Sequence, residues 1–171
     1  MPELTLDQAA ALAEEYAQRG LAKELAQLRA EWDDEIEAAA RHADYRVRSG
    51  GYRAVAQFRF RQKLELLRRG LDDESPAVRG SALISLEALS RDHPGDINSF
   101  RPLLHELAAR DPNVAVRRLA IVCLKNGTPV PDTIRLLDGI AGNDEDDAEV
   151  RRTARSVATL LVRRGRTRPA R

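Results

Sequence analysis

Residues 109–120 decide the fold of this 171-residue chain: Ala109-Arg110-Asp111-Pro112-Asn113-Val114-Ala115-Val116-Arg117-Arg118-Leu119-Ala120. The stretch has the composition of a helix end, a tight turn and the start of a new helix. Its Val-Arg pair at 116–117 recurs as Val78-Arg79 and as Val150-Arg151, at intervals of 38 and 34 residues. Self-similarity at such a period is typical of a helical-repeat solenoid.

Two further positions repeat with the Val-Arg pair. An alanine follows each arginine by three residues, and an acidic residue precedes it by six: Ala82, Ala120 and Ala154, and Asp73, Asp111 and Glu145. We expect the valine to begin the buried stripe of a second helix, and the small alanine to let two helices approach closely. Ser75-Pro76 and Asp111-Pro112 predict an N-cap followed by proline at the first helical position. Asp146 or Asp147 can cap the third copy.

These positions resemble those of the HEAT-repeat family, over roughly residues 60–165 and in a short array of bacterial type. The resemblance implies an all-α fold: a right-handed α-α superhelix (HEAT-like solenoid) of about eight helices in antiparallel pairs. In that family, aspartate and arginine stack as a ladder between neighbouring repeats. The resemblance therefore implies a structural ladder at Asp73, Arg79, Asp111, Arg117 and Arg151, which we favour over a phosphate-binding row.

The domain organisation follows from the repeats. We expect one α-solenoid domain, residues 1–165, with an N-terminal helical cap at 1–50 and about three repeats at 51–165. A fourth, degenerate repeat at 21–51 stays open, because Val47-Arg48 matches the motif while His42 replaces the acidic residue and Gly51 the alanine.

The helical pattern also predicts the helices of the N-terminal half. It predicts one long helix from Leu21 to about Val47, since nothing breaks it before Gly50-Gly51, and another from Tyr52 to Arg69. At the other end, the segment from Arg163 onwards holds five arginines and no acidic residue. That composition predicts that the whole segment is largely disordered, and the basic tail beyond the solenoid domain is set at residues 166–171.

Charge is uneven along a chain whose net charge is only +1. Residues 1–40 hold ten acidic and three basic residues, whereas 41–69 hold two acidic and nine basic ones. Either the two segments pack together and neutralise each other, which we favour, or they present faces of opposite charge to different partners. The small net charge excludes a global bias toward polyanions, so any basic surface must be local.

Several classes of protein are excluded by composition. The single cysteine, Cys123, rules out an internal disulfide framework and fits a reducing compartment. No apolar run is long enough to span a membrane, and the N-terminus lacks the pattern of a secretory signal. We therefore expect a cytoplasmic protein that does not bind membranes.

Catalysis is not expected. The three histidines, His42, His93 and His105, lie far apart and form no metal-binding motif. The carboxylate cluster at 33–35 sits in the middle of a helix, where successive side chains splay to different faces. The cluster at 144–147 lacks the ligand spacing and the glycine of a calcium loop. We predict no catalytic, cofactor-binding or metal-binding residues and no cofactor, and hence not an enzyme.

The leading functional hypothesis is a protein–protein interaction module, either a scaffold, an adaptor or a regulatory subunit. The HEAT resemblance implies a concave face lined by each repeat's second helix; its members would be Leu83, Glu87, Arg91, Arg118, Val122, Lys125, Arg152 and Arg155. Because this set is mainly basic, we expect an acidic partner segment. The alternative is a nucleic-acid-binding protein that uses the same face with the arginine-rich tail. The oligomeric state is left open.

Overall fold

The computed structural model describes residues 3–167. Helices account for most of them, and no strand occurs within that range. The α-helices are α1 (Leu6–Gln18), α2 (Ala22–Ala40), α3 (Tyr45–Gln57), α4 (Leu64–Leu71), α5 (Pro76–Ser90), α6 (Pro94–Arg110), α7 (Val114–Leu124), α8 (Pro131–Ala141) and α9 (Ala148–Thr167). The all-α prediction is confirmed, with nine helices in the described range instead of about eight.

The helices form two compact units, Met1–Leu89 and Ser90–Arg171, called here the N-terminal and the C-terminal unit. In the N-terminal unit α2 packs on α1 and α3. In the C-terminal unit α6 pairs with α7, α8 pairs with α9, and α7 packs on α9. The expectation of one domain across residues 1–165 stays a prediction.

The repeated apolar positions lie in the cores of the units. The valines and alanines of the motif are at most 1% exposed: Val78, Val116, Val150, Ala82, Ala120 and Ala154. An alanine at such a position leaves room for the neighbouring helix, because its side chain ends at the β-carbon. These positions were read correctly from the sequence.

The prediction of one long helix from Leu21 to Val47 is wrong. α2 ends at Ala40 and α3 begins at Tyr45, because two side chains stabilise the turn between them. The carboxylate of Asp44 accepts the backbone N–H of Arg46 and caps α3. His42 Nδ1 accepts the backbone N–H of Asp44 at 2.9 Å.

Gly51 lies inside α3, where it brings α3 against the end of α2. A β-carbon at Gly51 would stand 2.7 Å from the backbone nitrogen of Ala40 and 3.0 Å from atoms of Ala39. The glycine at the alanine position of the motif is therefore a tighter version of the same close approach, and not a helix break.

The helix predicted from Tyr52 to Arg69 is also interrupted. α3 ends at Gln57, and Arg59 adopts a left-handed backbone conformation with φ of 51°. A single 3-10 turn, Arg61–Lys63, then leads into α4. An L-residue with positive φ cannot continue a right-handed helix, so the chain changes direction here.

Two N-termini in the C-terminal unit are set by capping side chains. α7 begins at Val114, and Asn113 is its N-cap, accepting the N–H of Val116 at 3.1 Å. The cap predicted at Asp111 is therefore wrong: Asp111 accepts the N–H of Asn113, two residues on, at 2.9 Å. In the third copy Asp147 is the cap, since it accepts the N–H groups of Glu149 and Val150.

α9 continues to Thr167, so the residues at 163–167 that were predicted to be largely disordered are helical. Arg164 stabilises this end of the helix, because its guanidinium donates to the carbonyl oxygens of Lys125 and Gly127. The rest of the predicted tail, residues 168–171, lies outside the described residues.

Candidate partner-binding surface

The N-terminal unit contains a two-point ion pair between α3 and the turn before α5. Arg48 Nε lies 2.9 Å from Asp73 Oδ2, and Arg48 Nη2 lies 3.0 Å from Asp73 Oδ1. The two side chains are 12% and 13% exposed. Parallel N–H···O bonds of this kind fix the orientation of both groups, so the pair holds α3 and the following turn in register.

The arginines of these two copies make the same local contacts. Arg48 Nη1 donates to the carbonyls of His42 and Ala43, which precede it by six and five residues. Arg79 Nη1 donates to the carbonyls of Asp73 and Glu74, at the same two offsets. The hairpin of α2 and α3 thus has the contacts of a repeat, with the His42 imidazole in place of the aspartate.

The C-terminal unit contains the matching pair, formed by Arg117 and Asp146. Arg117 Nη1 and Nη2 lie 2.6 Å and 2.7 Å from Asp146 Oδ1 and Oδ2. These hydrogen bonds hold the pKa of Asp146 below its ordinary value, against burial, which raises it. The acid expected to serve this copy was Glu145, one residue earlier, but Glu145 is exposed and Asp146 makes the pair.

The other members of the predicted ladder have mixed surroundings. Asp111 is 9% exposed and binds the N–H of Asn113. Arg151 Nη2 lies 3.0 Å from Asp144 Oδ1, but the Asp144 side chain is 93% exposed. Because exposed ion pairs contribute little, the Arg151–Asp144 pair is weaker than the mostly buried pairs of Arg48 and Arg117. These two guanidinium groups are committed inside the fold and are not available to a partner.

The eight residues predicted for the partner-binding face differ in exposure. Leu83 is fully buried and cannot contact a partner, whereas its neighbour Ile84 is 45% exposed. Glu87, Val122 and Lys125 are half-buried, and the exposed members are Arg91, Arg118, Arg152 and Arg155. Leu83 and Glu87 belong to the N-terminal unit and the other six to the C-terminal unit.

Two neighbouring second helices carry the exposed arginines of this face. Arg118 on α7 and Arg152 on α9 each lie two residues after a buried valine, and α7 packs on α9. Packed helices have axes about 8–10 Å apart, so equivalent outward residues on them lie close enough to contact one ligand. Arg118, Val122, Arg152 and Arg155 together define what we call the α7–α9 face.

Two residues that were not expected on this face, Arg163 and Arg166, extend it along α9. The arginines at 152, 155, 163 and 166 follow one another, through Thr159, at steps of three and four residues, and all five side chains are exposed. The buried residues of α9 occupy the opposite side of the helix: Val150, Ala154, Val157, Ala158 and Leu161. We call these four arginines the α9 arginine row. Its spacing was visible in the sequence, but Arg163 and Arg166 had been assigned to a disordered tail.

Two shallow depressions border the α9 arginine row. One, of about 400 Å³, is lined only by residues of α9, three of them arginines and none acidic: Arg152, Arg155, Ser156, Thr159, Leu160 and Arg163. The other, of about 380 Å³, lies between α8 and α9 and includes Asp138. The first depression therefore offers guanidinium and hydroxyl donors to an anion, without a carboxylate in its lining.

The arginines of the row are engaged to different degrees. Arg152 Nη1 lies 2.6 Å from Glu149 Oε1, and Arg155 Nη2 donates to the carbonyl of Ala141 at 3.2 Å. Arg163 and Arg166 form no ion pair within residues 3–167. The C-terminal half of the row is thus the part most available to an external carboxylate or phosphate.

α2 carries a surface of the opposite charge. Its carboxylates Asp33 and Glu37 bind the buried ammonium group of Lys63, with Glu37 Oε1 at 2.8 Å from Nζ. This is neutralisation between the acidic and the basic segment, as favoured from the sequence. Four further carboxylates of α2 have no ion-pair partner among the described residues: Glu24, Glu31, Asp34 and Glu35. Glu24, Glu31 and Glu35 follow one another at steps of seven and four residues on one side of the helix, and we call these three the α2 acidic row.

The remaining titratable candidates do not converge. His105 Nε2 lies 2.8 Å from Thr133 Oγ1, and burial together with Arg101 lowers the pKa of His105. Cys123 is buried. Across residues 3–167, no three His, Cys, Asp or Glu side chains are placed to hold a metal ion together. Nor does that range contain a helix of the length and apolarity needed to cross a bilayer.

Comparison with known proteins agrees with this architecture. The family model described as HEAT repeats matches residues 33–106, which include the second half of α2 and the whole of α3, α4 and α5. This segment of the chain therefore consists of HEAT repeats. The match begins within α2, so it includes residues 33–51 of the segment 21–51 that stays open as a degenerate fourth repeat. A search of curated proteins found no match to the chain.

Proposed function

We propose that this chain is a non-catalytic interaction module that binds an acidic segment of another protein on its α7–α9 face. HEAT repeats are in general scaffolds for protein interactions. The observation that carries the specific proposal is the outward placement of Arg118, Arg152 and Arg155 on two packed helices. Complementary charge of this kind steers association and sets its specificity.

The role of each residue follows from its exposure. Arg118 and Arg155 present guanidinium groups that bind a carboxylate with two parallel hydrogen bonds, a geometry that lysine cannot supply. Val122, one turn after Arg118 on α7, is half-buried and offers a small apolar contact. Arg152 must exchange its bond with Glu149 for one with the partner.

The test is capture from native lysate with tagged protein after nuclease treatment. The reversal Arg118→Glu/Arg152→Glu/Arg155→Glu should abolish capture of proteins that the wild type retains. A matched control, Arg53→Glu/Arg110→Glu/Arg135→Glu, changes the net charge equally at exposed positions off the face and should retain them. Recovery of the same proteins by the α7–α9 reversal would contradict the surface assignment.

A nucleic acid is the second candidate, because the α9 arginine row places four cations and a threonine on one side of a single helix. If all four arginines contact phosphates, log K should fall against log salt with a slope of about −3 to −4. Fluorescence anisotropy with a labelled duplex at several salt concentrations measures that slope. Captured material that disappears on nuclease treatment would favour this candidate.

A further inference from the structure

We infer that the α9 arginine row also binds a second copy of this chain, through the α2 acidic row of that copy. The inference rests on the proposed function, in which this side of the C-terminal unit accepts an acidic protein segment. What it adds is the identity of one such segment, a helix that the chain itself supplies.

The α2 acidic row is free to take such a role. Glu24, Glu31 and Glu35 are all exposed, and among the described residues Glu31 accepts a hydrogen bond only from the uncharged amide of Gln27. The acidic side chains bound to Lys63 lie elsewhere on α2, so the fold neutralises one part of the helix and leaves the other charged. An unneutralised row of carboxylates on a rigid helix is a natural counterpart to a row of arginines.

The spacings of the two rows agree. Glu24 and Glu35 are eleven residues apart, as are Arg152 and Arg163, and also Arg155 and Arg166. With a rise of about 1.5 Å per residue, each of these separations spans about 16.5 Å along its helix. Two helices laid side by side can therefore bring both ends of the rows into contact together, with Glu31 facing the middle.

The contact joins different surfaces of the two copies, one in each unit. An association of this heterologous kind can be tested by reversing either surface alone. Because the contacts are ion pairs at exposed positions, we expect weak binding, with a Kd on the order of 0.1–1 mM at low salt. The binding should also be suppressed by salt.

Sedimentation equilibrium measures this directly on the full chain. At an ionic strength of about 20 mM, where the Debye length is about 20 Å, samples from about 10 μM to about 1 mM are compared. The weight-average mass should rise with concentration from the monomer value of 19.0 kDa toward at least twice that value. At about 0.5 M salt it should return to the monomer value at every concentration.

Charge reversal identifies the surfaces. Arg163→Glu/Arg166→Glu and Glu31→Lys/Glu35→Lys should each be monomeric alone, and an equimolar mixture of the two should associate again. The control Arg53→Glu/Arg110→Glu should associate like the wild type. Circular dichroism of each variant verifies that its helices are intact.

Three results would overturn the inference. They are a wild-type mass that stays at 19.0 kDa at the highest concentration, association that persists in both reversal variants, and association that nuclease removes. The first can coexist with capture of a foreign protein that depends on Arg118, and then only self-association fails while the proposed function stands. If the chain still self-associates but capture of a foreign protein does not depend on Arg118, the proposed function alone is rejected.

Discussion

The guanidinium of Arg48 and the carboxylate of Asp73 form a two-point pair across 25 residues of sequence, with N···O distances of 2.9 and 3.0 Å. Asp73 also accepts the N–H of Ser75, so one carboxylate orders the turn before α5 and binds the preceding repeat. Arg48 uses its third nitrogen on two carbonyls of its own repeat. The pair therefore ties the internal geometry of one repeat to the position of the next.

We expect Asp73→Ala to lower the free energy of unfolding by about 2–4 kcal/mol, because it leaves the mostly buried Arg48 without its counter-charge. Urea unfolding followed by circular dichroism measures the change. The control is Glu74→Ala, at a 90% exposed side chain 3.8 Å from Arg48, which should cost less than about 0.5 kcal/mol. Equal losses in the two variants would contradict a structural role for the pair.

The second pair predicts how stability depends on pH. Since the pKa of Asp146 is lowered on folding, first by its hydrogen bonds with Arg117, its contribution is complete above the unfolded value of about 3.9. The contribution is lost as the pH falls through the lower, folded value. The share of the unfolding free energy that comes from Asp146, measured as the difference between the wild type and Asp146→Asn, should be level between about pH 7 and pH 5 and fall below about pH 4. The Asp146→Asn variant should have a lower free energy of unfolding at neutral pH and should lose less of it on acidification. Parallel pH profiles of the variant and the wild type would count against this assignment.

Adjacent glycines in α3 give a matched pair of substitutions. Gly51→Ala should destabilise by about 1–3 kcal/mol, because its new methyl group would stand 2.7 Å from the backbone nitrogen of Ala40. Gly50→Ala, whose β-carbon would meet only Asp7 Oδ1 at 3.9 Å, should stabilise the helix by about 0.5–1 kcal/mol. Thermal unfolding of the two variants distinguishes close packing of α3 on α2 from a general effect of helix propensity.

The end of α9 offers a test by hydrogen exchange. Arg164→Ala removes the two hydrogen bonds to the carbonyls of Lys125 and Gly127, so residues 160–167 should lose about tenfold in amide protection, or ~1.4 kcal/mol of local stability. Arg163→Ala, at an exposed position next to it, should leave the protection unchanged. Full protection in Arg164→Ala would show that helix propensity alone orders this end.

The parts of the fold that follow from periodic apolar packing were predictable. A valine and an alanine four residues apart lie on one side of a helix, and the small alanine favours a close helix crossing there, which gave the three copies at Val78, Val116 and Val150. Polar substitutions were harder to predict. His42 takes the place of an aspartate because Nδ1 of its imidazole accepts a backbone N–H, and a pattern of acidic residues alone does not include histidine.

Errors of a single residue had larger effects on the predicted surface. Leu83 and Ile84 are neighbours on α5, but a step of about 100° around the helix separates a buried side chain from an exposed one. Glu145 and Asp146 differ in the same way within a loop, where no helical period fixes the direction of a side chain. Arg163 and Arg166 were missed because the bonds that extend α9 connect Arg164 with residues almost forty positions earlier.

The short sequence span of the Arg48–Asp73 pair has a consequence for synthesis of the chain. At about 5–20 residues per second, a ribosome adds the 25 residues between these partners in about 1–5 s. Each partner therefore becomes available soon after the other, and the first hairpin can dock on the next while the C-terminal helices are still untranslated. Such a chain has no need to wait for its last residue before it begins to fold.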